Sequence, residues 1–266
     1  MAENAAPAAG RIVVEQRGHL LLMGLDRVPK LNGVSETMFI ALAEAYDRME
    51  RDPEIRVGVL HAFGPHFSAG IQLDQLQQRF RDGLHLTPFG HVDPFGLFPP
   101  LRSKPVVAAV QGISFTITIE LMLAADIVIA ASDCRFGQIE VKRGIFANHG
   151  ATIRMVERAG WGNAMRYLLT GDEFDAATAF RLGMVQEVVE PGRQLDRALE
   201  LAEKIAAQAP LAVQTTITNA RQAVIYGPES AALQMGPEQQ RLFATEDAAE
   251  GVASFREKRA ALFKGR

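Results

Sequence analysis

At 266 residues, with 48% hydrophobic and 22% charged side chains, the chain has the composition of a soluble globular protein and is long enough for one large core, or a core with an appendage. A net charge of −3 gives no overall attraction to nucleic acid, and the short basic clusters at Arg79/Arg81, Lys142-Arg143 and 256–259 have acidic residues close by, so no nucleic-acid partner is expected. The single cysteine, Cys134, excludes an internal disulfide, and no apolar run approaches the ~20 residues of a membrane span, so the expected location is cytoplasmic, with no membrane partner.

The first ten residues, MAENAAPAAG, have neither a basic start nor an apolar stretch and read as a disordered tail, 1–10, rather than a signal peptide. Two β-rich runs, 12–15 and 20–25, flank Arg17-Gly18-His19 and suggest a hairpin. After the turn-rich DRVPKLNG, Ser35 can cap a helix over 36–51, where Met38, Leu42, Ala45 and Met49 recur at helical spacing until Asp52-Pro53 stops it. Residues 57–60 form an uninterrupted apolar strand. In GPHFSAGIQL, 64–73, Gly70 is the kind of residue a tight turn needs to aim a backbone N–H at a ligand; alone, the segment also fits a plain strand-to-helix turn. Residues 79–103 are the least regular part of the chain. Pro and Gly interrupt any period there, yet four phenylalanines (80, 89, 95 and 98) are too many for a solvated linker, which points to an apolar lid or pocket wall. His85 and His91 lie in this stretch without a second ligand set, so no metal site is expected.

The stretch 104–152 is KPVVAAVQGISFTITIELMLAADIVIAASDCRFGQIEVKRGIFANHGAT. It predicts a buried strand over 106–110, a helix over 116–125 whose only charge is Glu120, a strand over 127–130, and then FGQIE, which places Glu140 twenty residues beyond Glu120. Two carboxylates on apolar segments are costly to bury unless something pairs or uses them. Ile117 and Glu120 share a helix face near an N-terminus, where the first N–H groups have no intrahelical partner and the dipole favours negative charge. Further on, 151–158 and 163–169 read as helices, followed by a helix, a Gly183 stop and a short strand. From Arg193 the chain is almost wholly helical, with breaks expected at Pro210, Gly227-Pro228 and Gly236-Pro237, and with Leu195, Leu199, Ala202 and Ile205 in one apolar stripe.

KPVVAAVQG, the E-L-x-x-A-x-D run, FGQxE and the earlier FSAGIQL, in this order and spacing, resemble the enoyl-CoA hydratase/isomerase (crotonase) family, and the likeness extends to ATEDAAEGVASFREKR near the end. The resemblance implies an α/β fold, a crotonase-like spiral of ββα units over 11–192, with a C-terminal helical assembly region over 193–266 that builds a homotrimer or hexamer. It implies an acyl-CoA thioester as substrate, with coenzyme A part of that substrate and no separate cofactor. By the same resemblance, Ile71, after Ala69-Gly70, and Ile117 supply the two N–H groups of an oxyanion hole. Glu120 holds or activates a water and Glu140 exchanges the Cα proton. Lys30 lies beside the CoA phosphates, although a solvated loop lysine reads equally well, and Lys258 matches a lysine near the adenine end. Keeping both glutamates favours hydration of a 2-enoyl-CoA, or the reverse dehydration. The alternatives are double-bond isomerisation, thioester or C–C hydrolysis, and non-catalytic acyl-CoA binding.

This chain also departs from the family. Thr116-Ile117-Thr118-Ile119 stands where a Gly-rich run is usual, which should favour the helix, forbid positive φ and narrow the approach of the thioester, so an acyl group of atypical shape is expected. Ala147-Asn148-His149-Gly150 replaces a Pro-Gly-Ala-Gly turn; Asn148 keeps the N–H that helps place the water but crowds it. His149 is either a second proton-transfer group or a helix-start residue. Gln239 falls where an aromatic is often found.

Overall fold

The structure, a computed structural model, describes residues 9–266 apart from the side chains of 73–75. Most of the tail expected over 1–10 lies outside the described residues, but its end is fixed: the Ala9 carbonyl accepts the Ser35 hydroxyl at 2.5 Å and Gly10 is buried. The hairpin forms from β1 (Arg11–Arg17) and β2 (Leu20–Asp26), paired antiparallel with Arg11 opposite Asp26. Ser35 caps α1 (Glu36–Arg51) by accepting the Met38 N–H, and Met38, Leu42, Ala45 and Met49 are all buried.

β3 (Val57–Ala62), β4 (Val106–Val110), β6 (Ile127–Ala131) and β9 (Glu187–Val189) extend the sheet in parallel, in the order β1-β2-β3-β4-β6-β9. Its central strands are buried on both faces, which is why they read as continuous apolar runs rather than alternating ones. The period-2 geometry still sorts their side chains. Leu21, Met23, Leu25, Leu60, Val106, Ala108 and Val110 enter the larger core with α1, whereas Leu20, Leu22, Val57, Val59, Val107 and Ala109 enter a second core. That second face is covered by α7 (Gln194–Ala206) through Ala198, Ala202 and Ala206, with Leu195, Leu199 and Ile205 half-buried around them. The apolar stripe thus lies on the sheet. A smaller sheet joins β5 (Ile113–Phe115), β7 (Arg135–Gly137) and β8 (Glu173–Asp175). Cys134 is buried beside it, its thiol 3.4 Å from the Val110 carbonyl and pushed up to about 12 by burial.

Three elements differ from the sequence expectation. α2 (Leu73–Arg81) is a helix where none was anticipated, and α3 (Ile117–Ala124) starts one residue late because Thr116 is not helical. α8 (Pro210–Tyr226) and α9 (Pro228–Phe243) turn at Gly227-Pro228 as expected, but α9 runs unbroken through Gly236-Pro237. Pro237 removes one helical hydrogen bond there. Side-chain bonds to α8 hold the helix on either side: Asn219 to the Ala231 carbonyl, Gln222 to Ser230, and Arg241 to Thr215, each at 2.8–2.9 Å. The chain ends with α10 (Glu246–Glu257). Among the described residues no helix is long and apolar enough to cross a membrane.

Candidate active site

Two backbone donors meet where the loop before α2 touches the start of α3. Single bridges from Val34 to Ile71 and from Ser68 to Ser114 hold the loop between α1 and β5. Its neighbouring groups are engaged: Ala69 N–H donates to the Leu31 carbonyl at 2.8 Å, Gly70 N–H to the Ser68 hydroxyl at 3.0 Å, and the Gly70 carbonyl accepts Val34 N–H at 2.8 Å. The N–H groups of Ile71 and Ile117 have no acceptor among the described residues, and both residues line one cavity of about 500 Å³. Gly70 sits at φ +107°, and a Cβ there would run into Thr116 Oγ1, so the close approach of the two segments requires glycine.

The threonines do not behave as their sequence suggests. Thr116 adopts φ +54°, ψ −128°, the positive φ that its side chain should forbid. Its Oγ1 is buried beneath Gly70, while the Thr118 hydroxyl donates to the Phe115 carbonyl at 2.8 Å. Neither lines the cavity; of the three, only Ile117 does. The expected narrowing by two threonines is therefore absent, because both side chains are drawn into the packing below the site.

Glu120 on α3 and Glu140, at the start of a 3-10 turn (Glu140–Arg143), line the same cavity and are 1% and 9% exposed. Glu120 Oε1 accepts the N–H groups of His149 and Ala151 at 2.7 and 3.0 Å, so the start of α4 (Ala151–Ala159) clamps it. Burial raises its pKa; those two bonds and the charge of Arg154 counter the rise. Glu140 Oε1 accepts Gln138 Nε2 at 3.2 Å, and its Oε2 is buried with no protein partner among the described residues. Burial, helped by the nearby Glu120 charge and opposed by a backbone hydrogen bond, lifts Glu140 to about 7. At neutral pH one of the pair can thus carry a proton beside an ionised neighbour.

Asn148 lines the cavity as well, with its Oδ1 2.7 Å from His149 Nδ1. Of the two roles its position suggested, His149 takes the one at the entry to α4 and not that of a proton-transfer group. Its N–H helps open α4 and holds Glu120, and its ring lines the cavity with a pKa pushed down by burial to about 4, too low for an effective base at neutral pH. Lys30 ends an exposed 3-10 turn on the loop that pairs with Ala69, and Lys258 caps α10 in a left-handed conformation; neither lines the cavity. Phe80, one of the phenylalanines expected in a pocket wall, lines the cavity from α2, whereas no role was expected for Gln138, which the contact with Glu140 marks. Among the described residues no group of three or more His, Cys, Asp or Glu is placed to hold a metal ion.

Comparison with known proteins bears on the family and the fold. The profile of the family described as enoyl-CoA hydratase/isomerase matches residues 15–266. The enoyl-CoA hydratase EchA19 of Mycobacterium tuberculosis is 34% identical over 261 residues, covering 96% of both chains. The 2,3-dehydroadipyl-CoA hydratase of Escherichia coli is 32% identical, covering 96% of this chain and 99% of its own. A crystal structure titled a "probable enoyl-CoA hydratase/isomerase" from Mycobacterium abscessus superposes with a TM-score of 0.93 at 44% identity, over 96% of this chain and 98% of that one. With its profile match, its relatives and its fold in agreement, this chain belongs to the enoyl-CoA hydratase/isomerase (crotonase) family and is an enzyme of that kind.

Proposed function

We propose that this enzyme hydrates a 2-enoyl-CoA, or runs the reverse dehydration, with Ile71 and Ile117 as oxyanion donors and Glu120 and Glu140 as the acid–base pair. The observation that carries the reading is the meeting of two unengaged N–H groups and two buried carboxylates in one cavity. The thioester oxygen accepts the two N–H groups, which stabilise the enolate as negative charge develops on that oxygen. Glu120 takes a proton from water as the water oxygen bonds to Cβ, and protonated Glu140 delivers its own to Cα. One carboxylate gains a proton and the other loses one, so exchange between them restores the starting state. Coenzyme A arrives and leaves with the substrate, and Lys30, Ala69, Gly70, Asn148 and Lys258 are proposed to border its path. We also propose assembly as a homotrimer or hexamer, supported by the exposed apolar residues of α8 and α9, among them Tyr226 and Leu233.

The test is a panel of enoyl-CoA thioesters, followed by loss of the conjugated double bond. Glu140→Gln should abolish both turnover and Cα proton exchange, whereas Glu120→Gln should chiefly remove water addition. Both should still bind thioester, since the amide is nearly isosteric. Because Glu140 acts as an acid and its pKa is raised to about 7, kcat/KM for hydration should fall above that pH by about tenfold per pH unit. Wild-type rates in both variants would remove the assignment.

A further inference from the structure

Behind the catalytic cavity lies a second one of about 420 Å³, under the 84–99 loop and lined largely by apolar side chains such as Leu84, Leu97 and Phe98. α2 and His149 contribute to the lining of both. Arg79 borders the second cavity, Phe80 and Arg81 border the first, and His149 borders both. The His149 ring is held in that place. Its Nδ1 is 2.7 Å from Asn148 Oδ1, and its centroid is 4.7 Å from that of Phe95 and 6.2 Å from that of Phe80. Burial keeps the imidazole neutral at physiological pH, so it stands between two apolar spaces without a desolvated charge. Its backbone N–H is tied to Glu120 at 2.7 Å, which fixes the root of the side chain to the catalytic pair.

We infer that His149 sets the depth of the acyl site: it walls the catalytic cavity off from the one behind it and confines the enzyme to 2-enoyl-CoAs with short or compact acyl groups. This rests on reading the cavity as an acyl-CoA site. Alanine at 149 keeps the N–H that holds Glu120 and removes only the wall. The two spaces then join, and a long acyl tail can end among Leu84, Leu97 and Phe98.

The experiment compares the wild type with His149→Ala and with His149→Phe, which keeps a ring in place. Calorimetric titration with butyryl-CoA and dodecanoyl-CoA, which have no double bond to hydrate, reads binding alone; kcat/KM for crotonyl-CoA and 2-dodecenoyl-CoA reads turnover. The wild type should favour the short chain in both. His149→Ala should move both long-to-short ratios toward the long chain by roughly tenfold or more, and His149→Phe should not. A wild type that takes both lengths equally, or an alanine variant with unchanged ratios, overturns the inference. Binding ratios that shift as stated while no thioester is hydrated would support the wall and remove the hydratase reading instead.

Discussion

Thr116 holds φ +54° and ψ −128° between two fixed neighbours. Its N–H donates to the Gly137 carbonyl of β7 at 2.9 Å and its carbonyl accepts Ile119 N–H of α3 at 2.8 Å, so β7 and α3 impose the conformation from both sides. A β-branched side chain is a poor fit to that backbone, and such strain costs of order 1–3 kcal/mol. The hydroxyl is also buried without a partner among the described residues. Thr116→Gly removes both penalties against roughly 0.4–1 kcal/mol of added unfolded-state entropy. We expect a net gain of about 1 kcal/mol, read as a rise in Tm of roughly 2–4 °C. Thr116→Ala, which keeps Cβ, should gain less, and a lower Tm for the glycine variant would count against the strain. Helix propensity alone gives the opposite sign, because it treats residue 116 as helical; the helix starts at Ile117. The other site residues differ in how openly the sequence shows them. Glu120 stands out as the sole charge between Lys104 and Asp126, and Glu140 through the FGQIE motif twenty residues on, whereas the role proposed for Ile71 and Ile117 uses a group that every non-proline residue carries, so only motif and resemblance single them out. His149 could not be read at all as a wall, since that role exists only once two cavities do.

Asp93 organises the 84–100 loop, which is otherwise without regular structure. Its carboxylate is 4% exposed and accepts the Thr87 hydroxyl and the N–H groups of Phe95, Leu97 and Phe98 at 2.8–3.2 Å, closing the turn that puts Phe95 against His149. Asp47 anchors the same loop from α1, with Val92 N–H at 2.8 Å and His91 Nδ1 at 2.7 Å. Asp93→Ala leaves three backbone donors without their charged acceptor and should lower stability by roughly 3 kcal/mol, measured as the shift of the urea midpoint. Limited proteolysis should then cut first within 84–100; unchanged cleavage would mean that the apolar contacts alone hold the loop. Four phenylalanines suggested a packed loop, but they divide: Phe95 is buried, whereas Phe89 and Phe98 are largely exposed. Elements with a strong period and a cap, such as α1, were legible to the residue, and the long apolar strands to within two residues at their ends. The three-residue strands β5, β7 and β8 were not, being too short to show a period of two. α2 was missed although Leu73, Leu76 and Phe80 recur at helical spacing in LDQLQQRFR, because three apolar positions in nine residues are a short signal and the Pro- and Gly-rich run that follows reads as irregular. Pro237 misled because a helix break was read from one residue, while the bonds from α8 that span it are tertiary.

At the scale of the whole molecule, the C-terminal helices divide their apolar surface between two tasks. α7 lays Ala198, Ala202 and Ala206 on the sheet, so its stripe completes the second core. α8 and α9 keep much of theirs in solvent: Val224, Ile225 and Tyr226 are consecutive at the end of α8 and 52–68% exposed, and Leu233, Met235 and Phe243 on α9 are 57–76% exposed. Single exposed apolar residues need no explanation, but six of them on one helical hairpin are the observation behind the proposed assembly. The intact chain should therefore sediment as a trimer or hexamer at micromolar concentration. Tyr226→Asp combined with Leu233→Asp places two charges where a partner would bury them and should shift the species toward monomer, with the far-UV circular dichroism unchanged because neither side chain is packed inside the protomer. Truncation before Arg193 is a different experiment. It uncovers Leu20, Leu22, Val57 and Val59 along with the sheet face beneath α7, and should yield insoluble protein rather than a clean monomer. A native chain that sediments as a monomer at micromolar concentration would show that these helices expose their apolar side chains for some purpose other than self-assembly.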